Sequence, residues 1–296
     1  MDRLLNIFDL PVTYINDAFI QEQGISLGVL RLDLIHPVIS GNKLFKLKFY
    51  VEQAEAEQKD VLTFGGAFSN HLVATAHYCK LLNIRCKGIV RGERTMPFSP
   101  TLKQCEKYGM HLEFVNRNQY SELSSTLEAS DSQVIIPEGG FGKLGVKGAA
   151  AIMEHQVFED ATHMAVCVGS ATTLAGLLLA KNNKIELIAV PAIKNMQDIP
   201  ERLEKLLGGK DFVMPTIFNE YHFGGFAKID EELIAFMNKF YQDHKIPTDR
   251  IYTSKLLFTI MKKVKEGYFP KGSKIISIHT GGLQGNVSLT DNELIF

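Results

Sequence analysis

From about Val61 onward the chain alternates short apolar runs with segments of helical period, and this rhythm restricts the possible folds more than any other feature. VLTFGG reads as a strand and SNHLVATAHYCKLL as the helix after it. CKGIVR reads as a strand, SPTLKQCEKYG as a helix and HLEFVN as a further strand. QVIIPE precedes a helix from about Val146, HMAVCVG precedes one from near Thr172, and ELIAVPAI and KIISIHTGG complete the buried strands. Apolar runs of about four to eight residues separated by helices imply parallel sheets covered on both faces. So many strands suit two sheets better than one. The N-terminal GISLGVLRLDLI alternates instead and reads as an antiparallel hairpin arm.

A chain of 296 residues is long enough for one large domain or two smaller ones, and no break in composition marks a boundary. The net charge of -1 gives no electrostatic footprint for nucleic acid. No run reaches the roughly 18 apolar residues of a membrane span. The opening MDRLLNIFDLPVTYIND carries acidic residues and lacks a leader's apolar core, so a cytoplasmic enzyme is expected. Cys79, Cys86, Cys105 and Cys167 show no C-x-x-C spacing, and Cys86 and Cys167 sit in strand-like runs as small buried residues. The histidines lack an H-E-x-x-H pattern, so no metal is expected.

In open α/β sheets, sites form where loops leave the carboxyl ends of strands. That rule selects FGGAFSNH, PEGGFGKLG, VGSATT and IHTGGLQG. In VGSATTLAGLLLA a strand ends at Gly169, small hydroxylated residues follow, and an apolar helix begins. Free N–H groups and the helix dipole make this a phosphate cradle, with Ser170, Thr172 and Thr173 as added donors. A plain N-cap explains the same residues equally well. Residues 139–145, GGFGKLG, contain a G-x-G-x-x-G after a strand. A dinucleotide site also needs an acidic residue at the end of the next strand, and here Glu159 and Asp160 precede that strand. The segment therefore reads as a tight loop lining a pocket. Ser69 is a natural N-cap for the helix that follows it.

SGNKLFKLK, residues 40–48, gathers three lysines where a Gly41–Asn42 turn enters a helix that carries Leu44, Leu47 and Val51 on one face. Lys43 and Lys46 are three apart and project from the same side. A cation at a helix N-terminus is unfavourable, typically by about 0.3–1 kcal/mol. A solvated face remains the simpler reading, but the dipole also lowers a lysine's pKa, which suits one that must be neutral to attack a carbonyl.

The order GNKLFK, GGAFSNH, IPEGGFGKLGVKG, VGSATTLAGL, YHFGGF, DRIYT, IHTGG resembles the pyridoxal-phosphate family of 1-aminocyclopropane-1-carboxylate deaminase and D-cysteine desulfhydrase, over residues 41–282. The resemblance implies two open twisted α/β domains of the tryptophan synthase β-subunit type (fold type II), with pyridoxal 5′-phosphate between them. Residues 1–46 with 152–296 would form the larger, cofactor-binding domain, and 47–151 the smaller one closing over the site. A homodimer acting on a small amino acid, without nucleic-acid or membrane partners, is implied too. By position, Lys43 looks like the Schiff-base lysine and Lys46 like a phosphate contact. Ser69 looks like the assisting hydroxyl, and Asn70 like the partner of the cofactor's phenolic oxygen. Asn70, Ser69, His71 and Tyr252 line the substrate side. Ser170, Ala171, Thr172 and Thr173 inherit the phosphate loop. Tyr221 resembles the tyrosine packed on the pyridine ring and Tyr252 a second active-site tyrosine. Thr253 and Thr280 offer hydroxyls toward the ring nitrogen.

Where this family usually reads GNKTRK the chain has Leu44 and Phe45, Phe68 replaces a glutamine, and Thr172 stands where glycine is common. After the tyrosine the deaminases carry glutamate and the desulfhydrases threonine, and this chain has Thr253. The implied activity is α,β-elimination from a small amino acid, D-cysteine first, giving pyruvate, ammonia and sulfide, with Lys43 or Ser69 moving the α-proton. Deamination of 1-aminocyclopropane-1-carboxylate to 2-oxobutanoate is the alternative. A nicotinamide-dependent dehydrogenase, on the G-x-G-x-x-G alone, and a non-catalytic cofactor or amino-acid binder are readings from other classes.

Overall fold

The computed structural model describes residues 9–94, 96–128, 130–289 and 293–296. The first eight residues, part of the opening stretch read above for a leader, lie outside the described residues. In chain order the strands are β1 (Val12–Tyr14), β2 (Ser26–Arg31), β3 (Asp60–Gly66), β4 (Cys86–Arg91), β5 (His111–Val115), β6 (Gln133–Ile136), β7 (His163–Val168), β8 (Glu186–Pro191), β9 (Thr216–Ile217) and β10 (Lys274–His279). The helices are α1 (Ala18–Glu22), α2 (Asn42–Ala56), α3 (Asn70–Leu81), α4 (Pro100–Lys107), α5 (Arg117–Thr126), α6 (Lys143–Ala150), α7 (Thr172–Ala180), α8 (Ile199–Leu207), α9 (Glu231–His244) and α10 (Thr253–Lys265). Two sheets result, ordered β1-β2-β10-β7-β8-β9 and β5-β4-β3-β6. Every pairing is parallel except β1 with β2.

The apolar runs are continuous because both faces of each sheet are covered. Along β7, Met164, Val166 and Val168 enter one core with α7 and α8, while Ala165 and Cys167 enter another with α9 and α10. The smaller sheet does the same: Val61, Val90 and Val134 pack under α2, α3 and α4, while Leu62, Phe64 and Ile89 pack under Tyr120 of α5. Leu44, Leu47 and Val51 of α2 are fully buried, as their spacing requires. All four cysteines are free and buried. Among the described residues, no helix is long and apolar enough to cross a membrane.

The N-terminal arm differs from its expected form. β2 runs parallel to β10 for its whole length, and only the three-residue β1 opposes it, with α1 between them. The alternation arises because Leu27 and Val29 face one helix layer while Leu30 faces the other. It marks a strand buried on both sides, not a hairpin.

Candidate active site

The carboxyl ends of strands from both sheets converge on one cavity of about 780 Å³. Segments following β3, β6, β7 and β10 supply Ser69 to His71, Glu138 with Gly139, Gly169 to Ala171, and Thr280 to Gly282. All four strand-end segments selected from the sequence therefore meet in space. Lys43, Lys46, Arg91, Arg202 and Arg250 line the cavity, and among the described lining residues Glu138 is the single carboxylate. Such a cavity attracts anions.

Lys43 is placed by the turn before it. Gly41 has φ 67° and ψ −148°, a conformation favouring glycine. A Cβ there would lie 1.9 Å from the Thr280 carbonyl oxygen, which accepts the Asn42 N–H at 3.2 Å. The start of α2 is thus fastened to the end of β10. The Lys43 ammonium donates to Asn42 Oδ1 (3.0 Å), and Asn42 Nδ2 donates to Thr173 Oγ1 (2.9 Å), joining the lysine to the loop before α7. Burial lowers the Lys43 pKa to about 8, partly opposed by the charge of Asp249. Lys46 is held well below its ordinary value by burial and then by Lys43. The solvated-face reading fails for both lysines.

At the start of α7, Ala171 takes a left-handed conformation, φ 64°. That curls the backbone before the helix and turns successive N–H groups toward a common point, as in anion nests. Ser170 and Thr173 line the cavity, Thr173 receiving the bond from Asn42. Thr172 is fully buried; its hydroxyl bonds Ser170 Oγ at 3.0 Å, so it supports the loop and does not line the cavity. The G-x-G-x-x-G segment behaves as a tight loop. A Cβ on Gly145 would lie 1.9 Å from the Gly140 carbonyl oxygen, and Gly139 and Phe141 reach the cavity.

Ser69 caps α3, accepting the Leu72 N–H at 3.3 Å. Asn70 Nδ2 donates to the Gly282 carbonyl (3.3 Å), while its buried Oδ1 has no partner. His71 is buried against Thr63, whose hydroxyl donates to the Ile136 carbonyl. The Thr63 oxygen therefore accepts from His71 Nε2–H, leaving Nδ1 as a bare acceptor without a partner. Burial and the two lysines push the His71 pKa well down. His71 stands in the cavity as a neutral acceptor, not a cation.

Two expected residues stand elsewhere. The Tyr221 hydroxyl donates to Glu266 Oε1 (2.7 Å) and its ring packs on Phe258, outside the cavity. From the same segment Phe226 and Ala227 line the cavity instead, because positive φ values at Phe223, Gly224, Gly225 and Ala227 turn the chain. Thr253 is fully buried and donates its hydroxyl to Asp249 Oδ2 (2.6 Å), so it does not line the cavity. Asp249 also accepts the N–H groups of Ile251, Tyr252 and Thr253 and so fixes the start of α10. Tyr252 and Thr280 do line the cavity, and burial raises the Tyr252 pKa. Sequence reasoning passed over Asn42, Glu138, Arg202, Asp249, Arg250 and Phe226. Asp249 had a local signal, an acidic cap four residues before a threonine, but the others depend on tertiary contacts.

The family described as pyridoxal-phosphate dependent enzyme matches residues 16–281. The chain belongs to that family, and its cofactor is pyridoxal 5′-phosphate. A Pyrococcus horikoshii protein with the provisional name 1-aminocyclopropane-1-carboxylate deaminase is 26% identical, covering 97% of this chain and 93% of its own. The Serratia proteamaculans D-cysteine desulfhydrase is 27% identical, covering 88% and 87%. The Arabidopsis thaliana bifunctional D-cysteine desulfhydrase/1-aminocyclopropane-1-carboxylate deaminase is 28% identical, covering 88% and 73%. A crystal structure of an ACC deaminase homologue superimposes with TM-score 0.78 at 24% identity, covering 95% of this chain and 92% of that one. The fold is that of fold-type II pyridoxal-phosphate enzymes.

The residues present fit this cofactor. The left-handed backbone at Ala171 turns N–H groups toward a common point, Lys46 lies buried near Lys43, and the Asn70 carbonyl and His71 Nδ1 are unpaired acceptors of residues lining the cavity.

Proposed function

We propose that the chain catalyses α,β-elimination from a small amino acid bearing a β-leaving group, with D-cysteine foremost. The net reaction consumes one water and gives pyruvate, ammonia and sulfide. The bound cofactor supplies an electron sink for the carbanion formed at Cα. The protein's part is positioning and proton transfer. Lys43 holds the cofactor and, once free, takes the α-proton on a neutral Nζ; a pKa about 8 suits this task. Ser69 keeps its own proton while accepting from Leu72, so it can pass a proton between Lys43 and the substrate. Asn70 Oδ1 accepts a substrate N–H. Tyr252, kept as a neutral phenol by burial, protonates the departing sulfur. Lys46, Ser170, Ala171 and Thr173 would hold the phosphate.

The observation that carries the choice of substrate is that Glu138, the single carboxylate among the described lining residues, is already bonded by Tyr120. Thr280 offers a hydroxyl, and Thr253 is committed to Asp249. A carboxylate would keep the ring nitrogen protonated and deepen the sink, which opening an unactivated cyclopropane demands more than expulsion of a thiol does. Deamination of 1-aminocyclopropane-1-carboxylate is the second reading, favoured by the names of the relatives above. Pyruvate formation from D-cysteine, L-cysteine, D-serine and 3-chloro-D-alanine tests the first; 2-oxobutanoate from the cyclopropane alone replaces it with the second. The proposal includes a cytoplasmic homodimer, checked by light scattering and fractionation. It also includes closure of 47–151 onto the rest of the chain, checked by solution scattering with and without substrate.

A further inference from the structure

Lys255 lies within the first turn of α10 and is fully buried. Its ammonium donates to three backbone carbonyls: Gly225 at 2.6 Å, His222 at 2.9 Å and Ala192 at 3.4 Å. Its hydrogen-bond partners are all peptide oxygens, while Asp249 and Asp230 act on it only through space. Burying a charge this deeply is unfavourable unless its ligands compensate. A ring of carbonyl oxygens around a dehydrated monovalent cation is the donor arrangement that proteins use for potassium. Here the cation arrives on a side chain.

Two of these carbonyls, those of His222 and Gly225, belong to a strained turn. Phe223 (φ 50°), Gly224 (82°), Gly225 (112°) and Ala227 (55°) all have left-handed backbone, and two of them are not glycine. Such residues persist only where surrounding contacts over-determine them. Inside the turn, the Gly225 N–H bonds the His222 carbonyl at 3.0 Å and the Lys228 N–H bonds the Gly225 carbonyl at 3.2 Å. Lys255 bonds both of those carbonyls again and ties them to Ala192, just beyond β8. The segment held this way places Phe226 and Ala227 in the cavity wall, with the Phe226 ring centre 6.3 Å from that of Tyr252. Burial also lowers the Lys255 pKa, as expected of an amine without a paired carboxylate.

We infer that Lys255 is a positioning residue whose ammonium serves as a built-in monovalent cation, fixing the turn of residues 222–227 against the active-site cavity. Removal of that ammonium leaves a carbonyl cage that takes potassium or ammonium ion from solution. The inference concerns the turn and holds whichever amino acid reacts.

The test compares holoenzyme of the wild type and Lys255→Met in choline, lithium, potassium and ammonium chloride at equal ionic strength. Hydrogen exchange of peptides spanning 219–228 is the main readout, because it needs no turnover. In the wild type the exchange is slow and the same in all four salts. In Lys255→Met it is faster in choline by about tenfold or more, as for a locally opened segment. Potassium or ammonium restores it and lithium does not, and kcat/KM on any turned-over amino acid follows the same order. Wild-type protection of Lys255→Met in choline overturns the inference, since the turn then needs no cation. Loosening to the same degree in all four salts overturns it too, because the side chain then acts by packing alone. Recovery of folded Lys255→Met only from potassium or ammonium media supports it. If that variant is insoluble in every salt, Lys255→Arg decides: its planar fork cannot converge on three oxygens, so a loosened turn supports the inference and a wild-type turn overturns it.

Discussion

The most direct test of the site is the titration of Lys43. An ordinary lysine titrates near 10.5, and burial brings this one to about 8. At pH 7 a pKa of about 8 leaves about 9% of the amine neutral, against about 0.03% for the ordinary value. The ratio is about 300-fold, or about 3.4 kcal/mol. Only the neutral amine attacks an aldehyde. Protein stripped of cofactor is mixed with pyridoxal 5′-phosphate at increasing pH, and visible absorbance is followed, with Lys43→Ala as the blank. The second-order rate constant reports ionisation of the free protein, so bound phosphate does not enter. It is expected to rise about tenfold per pH unit below pH 8 and to level above it. Asp249→Asn gives the sign. A carboxylate nearby raises the Lys43 pKa, so its loss moves the break to lower pH. A rate constant that climbs tenfold per unit through pH 9 in the wild type would refute the burial argument, since Lys43 would then be an ordinary surface amine.

Three further outcomes follow from named contacts. Gly41→Ala places a methyl 1.9 Å from the Thr280 oxygen in a backbone region unfavourable for alanine, so a loss of about 2–4 kcal/mol in stability and weaker cofactor retention are expected, read by thermal melting and absorbance. Ser69→Ala removes a cap worth about 1 kcal/mol together with the relay hydroxyl, whereas Ser69→Asn keeps the cap; a turnover loss of about 100-fold in both, with lowered melting only in the alanine variant, separates the two roles. Tyr221→Phe removes only the bond to Glu266, so kcat within about twofold of wild type and a stability loss of at most about 1 kcal/mol are expected; a large kcat loss would return Tyr221 to the site.

Much of the site was legible because local rules and tertiary placement coincide at the carboxyl ends of parallel strands. Ser69, Asn70, Ser170 and Thr280 each follow an apolar run directly, and the doubly wound arrangement carries such positions to one crevice. Lys43 and Lys46 stood out by their unfavourable place at a helix start, but position alone favoured a solvated face, and their roles came from the family resemblance. What escaped is instructive in the same terms. Tyr221 and Phe226 lie five residues apart in one loop, and which ring enters the cavity depends on four left-handed backbone angles that composition does not dictate. Thr253 was chosen by position after a tyrosine, but the same hydroxyl also completes the four bonds to Asp249 that start α10. That local demand turns it away from the cavity.

The same competition explains why the site's charge could not be counted from motifs. Arg91, Arg202 and Arg250 reach the cavity from β4, from α8 and from the segment before α10, three elements without a shared pattern. Arg202 is oriented by Asp198, four residues earlier at the cap of its helix, an ordinary surface pair in sequence. Only the packing of α8 beside α7 brings it within reach of the Gly169 carbonyl (3.5 Å). Burial lowers the values of both lysines, and at Lys46 the charge of Lys43 adds to it. On the proposed reading, a phosphate held beside Lys46 would favour protonation there, whereas Lys43 would react as the neutral amine. The two lysines are alike in sequence and three residues apart, and it is the position of such an anion that would give them different charge states.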